Sequence, residues 1–182
     1  MTRLGQHPDP SHTIAHFSDP HLLATGRRLY GSVDTRAHLA DAIAQLERSE
    51  LKPDAIVFTG DLADLGEPDA YEQLRDLVRP AAERMGSKLI WVMGNHDERA
   101  PYASALFGDA GPDGAGANAP QDRVYDVNGL RVVVLDTSVP GYHHGALLPS
   151  QLDWLRDVLA TPAEHGTIIA LHHPPVPTPL NF

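Results

Sequence analysis

Four short runs in this chain carry side chains of metal-binding type: Asp19-Pro20-His21, Gly60-Asp61, Gly94-Asn95-His96-Asp97 and His172-His173. Asp, His, Asp, Asn and His together offer oxygen and imidazole donors without sulfur, which suits Mn2+, Fe or Zn2+. Two such cations about 3.5–4 Å apart neutralise phosphoryl oxygens and lower the pKa of a bound water to about 7. The set therefore reads as the donors for two divalent metals about one phosphate. Any one run alone is an ordinary turn or helix cap. It is the four in this order that point to a site.

Each run follows a short apolar segment: Thr13-Ile14-Ala15-His16-Phe17-Ser18, Ala55-Ile56-Val57-Phe58-Thr59, Leu89-Ile90-Trp91-Val92-Met93 and Thr167-Ile168-Ile169-Ala170-Leu171. Such runs, bounded by turn residues, read as buried strands. Ligands bind beyond the carboxyl ends of strands in open α/β sheets, so all four clusters are expected on one rim of one sheet. On a strand, residues i and i+2 share a face, which suits Asp19 and His21.

Between the strands, Leu39, Ile43 and Leu46 recur at helical spacing and predict a helix over residues 34–50. A second helix starts near Glu67-Pro68, with Tyr71, Leu74, Leu77 and Val78 as its apolar face. Pro80 is expected to end or kink it, and Gly86 to cap it. Alternating strands and helices imply parallel units. Residues 108–120 are rich in Gly, Ala and Pro and read as a loop. Asn128-Gly129, between runs 123–127 and 130–136, is a hairpin signal. A last helix is expected over residues 150–160, with Ser150 and Asp153 as a capping pair and Leu152, Leu155 and Leu159 as its apolar stripe.

The wording of these motifs resembles the calcineurin-like metallophosphoesterases, whose pattern is D-x-H, G-D, G-N-H-[DE], H and then G-H-x-H. His16-Phe17-Ser18-Asp19-Pro20-His21-Leu22, Phe58-Thr59-Gly60-Asp61-Leu62-Ala63-Asp64, Val92-Met93-Gly94-Asn95-His96-Asp97 and Leu135-Asp136-Thr137-Ser138-Val139-Pro140-Gly141 are similar to the cyclic-nucleotide phosphodiesterase branch, which includes class III enzymes and the CpdA proteins. The similarity runs from about Thr13 to Pro177.

The resemblance implies an α/β fold, the αββα sandwich of mixed sheets with flanking helices. It implies Asp61 as the carboxylate bridging two divalent ions, Asp19 and His21 on the first and Asn95 and His172 on the second. It makes His96 the general acid over the phosphate, with Asp97 orienting its ring. His21, Asp61, Asn95, His96 and His143 would then contact substrate. His144 joins His143 at the entrance, and His173 supports His172. His16, Asp64 and Asp136 are expected to support structure rather than bind metal. The implied activity is hydrolysis of phosphodiesters, 3′,5′-cyclic nucleotides to 5′-monophosphates, by hydroxide held between the metals. A monoesterase or a nuclease could use the same residues.

G-H-x-H does not occur in the chain. The expectation is therefore the N-terminal portion of a longer enzyme: a lead-in over residues 1–12, then a phosphoesterase domain over 13–182. An inactive, weakly metal-binding remnant or interaction scaffold is the alternative.

The 182 residues are 42% hydrophobic, enough for one domain with a sizeable core. A net charge of −10 without a basic stripe argues against a large nucleic-acid footprint or an anionic membrane surface. With no cysteine, disulfides and thiolate ligands are excluded. The first ten residues lack the apolar core of a signal peptide, and no run reaches membrane-spanning length. A cytoplasmic protein is expected, acting on a small nucleotide, with a homodimer among its expected assemblies.

Overall fold

Apolar residues that alternate between two partners build the centre of this molecule. The computed structural model describes residues 10–108 and 116–176. Its elements, in chain order, are β1 (Ile14–Phe17), α1 (Thr35–Arg48), β2 (Ala55–Thr59), α2 (Pro68–Met85), β3 (Lys88–Val92), α3 (Arg99–Phe107), β4 (Arg123–Val127), β5 (Leu130–Val134), α4 (Pro149–Leu159) and β6 (Thr167–Ala170). The expected lead-in lies outside the described residues as far as Asp9. So do Asp109 to Ala115 of the expected loop, and Pro177 to Phe182. His12 is tied down, its Nε2 lying 3.1 Å from the Asn128 carbonyl.

Strands β1, β2 and β3 form one parallel sheet in that order. On β2, Ile56 and Phe58 join a core with Trp91 of β3 and with Leu39, Ile43, Tyr71, Leu74, Val78 and Tyr102, the residues that α1, α2 and α3 present. Ala55 and Val57 point the other way, packing with Ile90 and Val92 against Val127, Val132 and Val134 of a second sheet. A strand covered on both faces needs an unbroken apolar run, as in Ala55-Ile56-Val57-Phe58. The second sheet pairs β4 antiparallel with β5 and β5 parallel with β6. Helix α4 covers its outer face: Arg131 Nη1 donates to the Val158 carbonyl at 2.8 Å, and Gln151 Nε2 to the Asp136 carbonyl at 2.9 Å. Helices, sheet, sheet, helix are the layers of an αββα sandwich.

Several expectations need correction. The four ligand-bearing strands do not share one sheet, because β6 belongs to the second. Nor is β6 buried: Ile168 and Ile169 are 40% and 42% exposed, since β6 is an edge strand with β5 as its neighbour among the described residues. Pro80 does not end α2, which runs on to Met85; Pro80 is exposed, so water can serve the carbonyl it leaves unbonded. Gly86 does cap that helix, at φ 72°. The capping pair of α4 is Leu148 and Gln151, whose Oε1 accepts from Leu148 N–H at 2.9 Å, and not Ser150 and Asp153. Leu152 and Leu159 of its expected stripe are exposed. Helix α3 was not expected at all.

Candidate metal centre

Beyond β1 and β2 the chain turns through two linked loops. Asp19 N–H donates to Gly60 O, His21 N–H to Asp61 O and Leu22 N–H to Leu62 O, at 3.0–3.1 Å. Asp19, His21 and Asp61 all take positive φ, at 54°, 42° and 47°. Non-glycine residues rarely adopt this region, and they cluster at functional sites when they do. So the Asp-x-His pair does not converge by strand pleating, as its spacing suggested. It sits past the strand, and left-handed backbone turns aim it.

The Asp61 carboxylate is buried at the centre. Its Oδ2 lies 3.6 Å from His21 Nε2 and its Oδ1 lies 3.6 Å from His172 Nε2. Both imidazoles are held from behind. His172 Nδ1 donates to the Thr59 carbonyl at 2.8 Å, and His21 Nδ1 bonds Asp64 Oδ1 at 3.1 Å. The other ring nitrogen of each neutral imidazole is then a lone pair directed at Asp61. Asn95 adds to this: its Nδ2 donates to His143 Nδ1 at 3.0 Å, which leaves Oδ1 only 3.2 Å from His172 Nε2. Lone pairs thus converge from His172, Asn95 and Asp61 with no hydrogen between them. A cation, or a proton on the ring, must satisfy such a cluster. The donors are oxygen and nitrogen, and imidazole backed by carboxylate or carbonyl is the usual arrangement around a bound metal. The residues present fit divalent ions.

Asp19, Asp61 and His172 bring ligand atoms within 4.8 Å of one another, and so do His21, Asp64 and His96. Asp64, expected to support structure, falls in the second of these groups and also holds two rings: its carboxylate holds His21, and its carbonyl accepts from His96 Nδ1 at 2.8 Å. His96 is further fixed by its backbone N–H, which donates to Asp61 Oδ1 at 3.0 Å. Its ring stands edge-on to His21 at 4.9 Å and lies 5.7 Å from the His143 ring.

Asp97 does not orient the His96 ring. Its buried carboxylate accepts from the backbone N–H groups of Leu62, Ala63 and Gly94 and from the Tyr71 hydroxyl, at 2.8–3.1 Å. It therefore stitches the loop carrying Asp61 to the loop carrying Asn95. Burial pushes its carboxyl up to about 6, although these four donors pull it down. Tyr71, raised above its ordinary value chiefly by burial, also accepts from Glu98 N–H at 2.9 Å.

His173 packs against His172, the two rings meeting edge to face at 5.1 Å, but its ring nitrogens bond elsewhere. Its Nε2 donates to the His143 carbonyl at 3.1 Å and its Nδ1 accepts from Thr137 Oγ1 at 2.7 Å. Burial lowers its pKa, favouring the neutral ring that this pattern needs. His143 reaches the centre through Asn95, whereas exposed His144 lies against Tyr142, with rings 5.3 Å apart. His16 bonds Thr59 Oγ1, and Asp136 accepts from Arg99 and Ser138, so both support structure as expected. Sequence reasoning gave no role to the polar atoms of Thr59, Tyr71 and Thr137, since a lone hydroxyl or carbonyl marks no ligand-type residue.

The family model for calcineurin-like phosphoesterases matches residues 12–181. This chain belongs to the calcineurin-like phosphoesterases. It is 55% identical, over 99% of its length, to a cAMP/cGMP dual specificity phosphodiesterase of Mycobacterium tuberculosis (strain CDC 1551 / Oshkosh), covering 55% of that protein. It is 36% identical, over 93% of its length, to the 3′,5′-cyclic adenosine monophosphate phosphodiesterase CpdA of Pseudomonas aeruginosa, covering 57% of it. The chain spans a little more than half the length of these curated relatives. Among solved structures, a dimetal phosphatase from Danio rerio shares the fold, with a TM-score of 0.61 over 90% of this chain and 70% of that one, at 16% identity. Among the described residues, no helix of this family member is long and apolar enough to cross a membrane.

Proposed function

We propose that this chain carries the dinuclear centre of a phosphodiesterase that opens 3′,5′-cyclic nucleotides to 5′-monophosphates. The observation that carries the reading is the position of Asp61, with one carboxylate oxygen toward His21 and the other toward His172. Such a carboxylate can bridge two ions. Asp19 and His21 would complete one position, Asn95 and His172 the other, with Mn2+, Fe or Zn2+ as candidates. When bound, the ions supply charge neutralisation at the phosphate and a water of lowered pKa.

The chain's own residues supply the rest. His96, with Nδ1 committed to the Asp64 carbonyl, presents Nε2 as the atom that carries a proton to the leaving alkoxide. Asp61 fixes His96 through its backbone amide, so the bridging position and the acid move as one unit. His143, near both Asn95 and His96, would meet the ester side of the substrate. The names of the two relatives support a cyclic nucleotide as the substrate. This reading places the protein in the cytoplasm, where its substrate would be held; sedimentation would test the homodimer.

The test is release of 5′-AMP from 3′,5′-cyclic AMP by the Mn2+-loaded protein beside an Asp61→Ala control. The reading requires turnover in the first and none in the second. Equal rates in both would overturn it, and faster cleavage of a simple phosphomonoester would replace it with a monoesterase.

A further inference from the structure

Asn95 can serve a cation through its amide oxygen but not through its amide nitrogen. Nothing in the side chain's shape separates the two, so a neighbour must choose between them. In this structure that neighbour is His143, whose Nδ1 takes the Asn95 Nδ2 hydrogen at 3.0 Å and leaves Oδ1 facing His172. His143 lies on an exposed loop after β5, so its own position must come from elsewhere.

The source is His173. Its Nε2–H donates to the His143 carbonyl at 3.1 Å, and Thr137, buried in the loop beyond β5, donates its hydroxyl to Nδ1 at 2.7 Å. A carbonyl can only accept, so the first bond fixes the tautomer with hydrogen on Nε2. The second bond then needs Thr137 as donor, and both requirements hold at once. Two further features fit. Ala146 N–H returns to the Thr137 carbonyl at 3.0 Å, closing the loop onto the same residue. Gly145 gives the ring room: a Cβ there would collide with His173 Cγ.

We propose that Thr137, His173 and His143 form a clasp that sets the orientation of the Asn95 amide, with His173 as a positioning residue rather than a ligand. The inference rests on the metal-centre reading above. The clasp joins the second sheet, through Thr137 and His173, to a side chain carried by the first, through Asn95.

The first test is calorimetric titration of the metal-free protein with Mn2+. His173→Ala should weaken one of two ions about tenfold and leave the other unchanged, since loss of a group orienting a ligand costs 10–100-fold. Thr137→Val should do the same to a smaller degree, and it covers the case in which His173→Ala does not fold. His143→Phe, which keeps a ring but no acceptor, should match His173→Ala, whereas His143→Gln should recover most of the affinity. The double variant His143→Phe/His173→Ala should be no worse than His143→Phe alone. Additive losses, or equal weakening of both ions, would overturn the clasp.

The second test needs neither metal nor substrate. In the metal-free protein the Asn95 side-chain amide NMR signals should shift and broaden in His173→Ala, and the Tyr142 and Ala146 amides should lose hydrogen-exchange protection. Unchanged signals would sink the inference even if the protein binds two ions. Changed signals with no Mn2+ binding would uphold the clasp and reject the metal-centre reading.

Discussion

Gly94 lies so close to Asp61 that a Cβ at position 94 would collide with both the Oδ1 atom and the backbone nitrogen of Asp61. The glycine of the third motif is there to make room for the carboxylate of the second. Gly60 stands in the same relation to His172, whose imidazole passes over it at a positive φ. Gly94→Ala should displace Asp61 and lower Mn2+ affinity at least tenfold, with a stability cost of about 1–3 kcal/mol from overpacking. Calorimetric metal titration and urea unfolding measure the two effects separately.

Asp61 faces both His21 and His172, whereas the Asn95 oxygen faces His172 alone of these two. Asp61→Ala is therefore expected to lose both ions and Asn95→Ala to lose one, each with a folded chain. Elemental analysis after gel filtration gives the stoichiometry. Two ions retained by Asp61→Ala would remove the bridge from the account.

Asp97 titrates inside the molecule. Its folded-state value of about 6 exceeds the ordinary 3.8 because burial disfavours the charge. Between about pH 4 and 6 the folded chain binds a proton here that the unfolded chain releases. The stabilisation is complete below about pH 4 and is lost as pH rises through 6. Asp97→Asn removes this titration. Urea unfolding of the metal-free proteins should show wild-type stability falling relative to the variant as pH climbs from 4 to 7; a flat difference would rule out the raised value.

Gln151 is buried and holds α4 in place. Its amide donates to the Asp122 carboxylate and the Asp136 carbonyl, all at 2.9 Å, while its oxygen caps Leu148. Asp122, already raised by burial, would lose its side-chain donor. Gln151→Leu should destabilise by about 2–4 kcal/mol through unsatisfied polar groups. Denaturant unfolding checks this, and metal stoichiometry should be unchanged, because none of these bonds touches the centre.

The sequence announces the candidate ligands plainly and the groups that hold them poorly. The Asn128-Gly129 turn and the Gly86 cap are local and stand as expected, because one or two residues decide each. The metal-type residues are legible because their donors must be particular chemical groups. The sheet assignment of β6 is not, since an apolar run shows that a strand exists and not which neighbour it takes. The partners of His173 and Asp97 are not legible, because the groups they bond, Thr137 and the His143 carbonyl for one and the Leu62, Ala63 and Gly94 amides for the other, lie far off in sequence or are backbone atoms without a residue signature. Side-chain direction after a turn follows from backbone torsions, which for Asp19, His21 and Asp61 lie where few residues of their kind do. Helix α3 begins Arg99-Ala100-Pro101, and its weak apolar pattern gave no sign of the packing that Tyr102 and Leu106 supply.

The partition of the donors between two sheets has a mechanical consequence. Asp19, His21, Asp61 and Asn95 ride on the first sheet, and His172 alone of the proposed ligands rides on the second. The gap between Asp61 and His172 is thus a gauge of how the sheets are aligned. What sets that alignment is the interlocked layer of Val57, Val92, Val132 and Val134, whose side chains carry no donor atom. Trimming that layer would let the sheets slide, and a change in a wholly apolar interior would register as a change in how tightly the centre grips its ions.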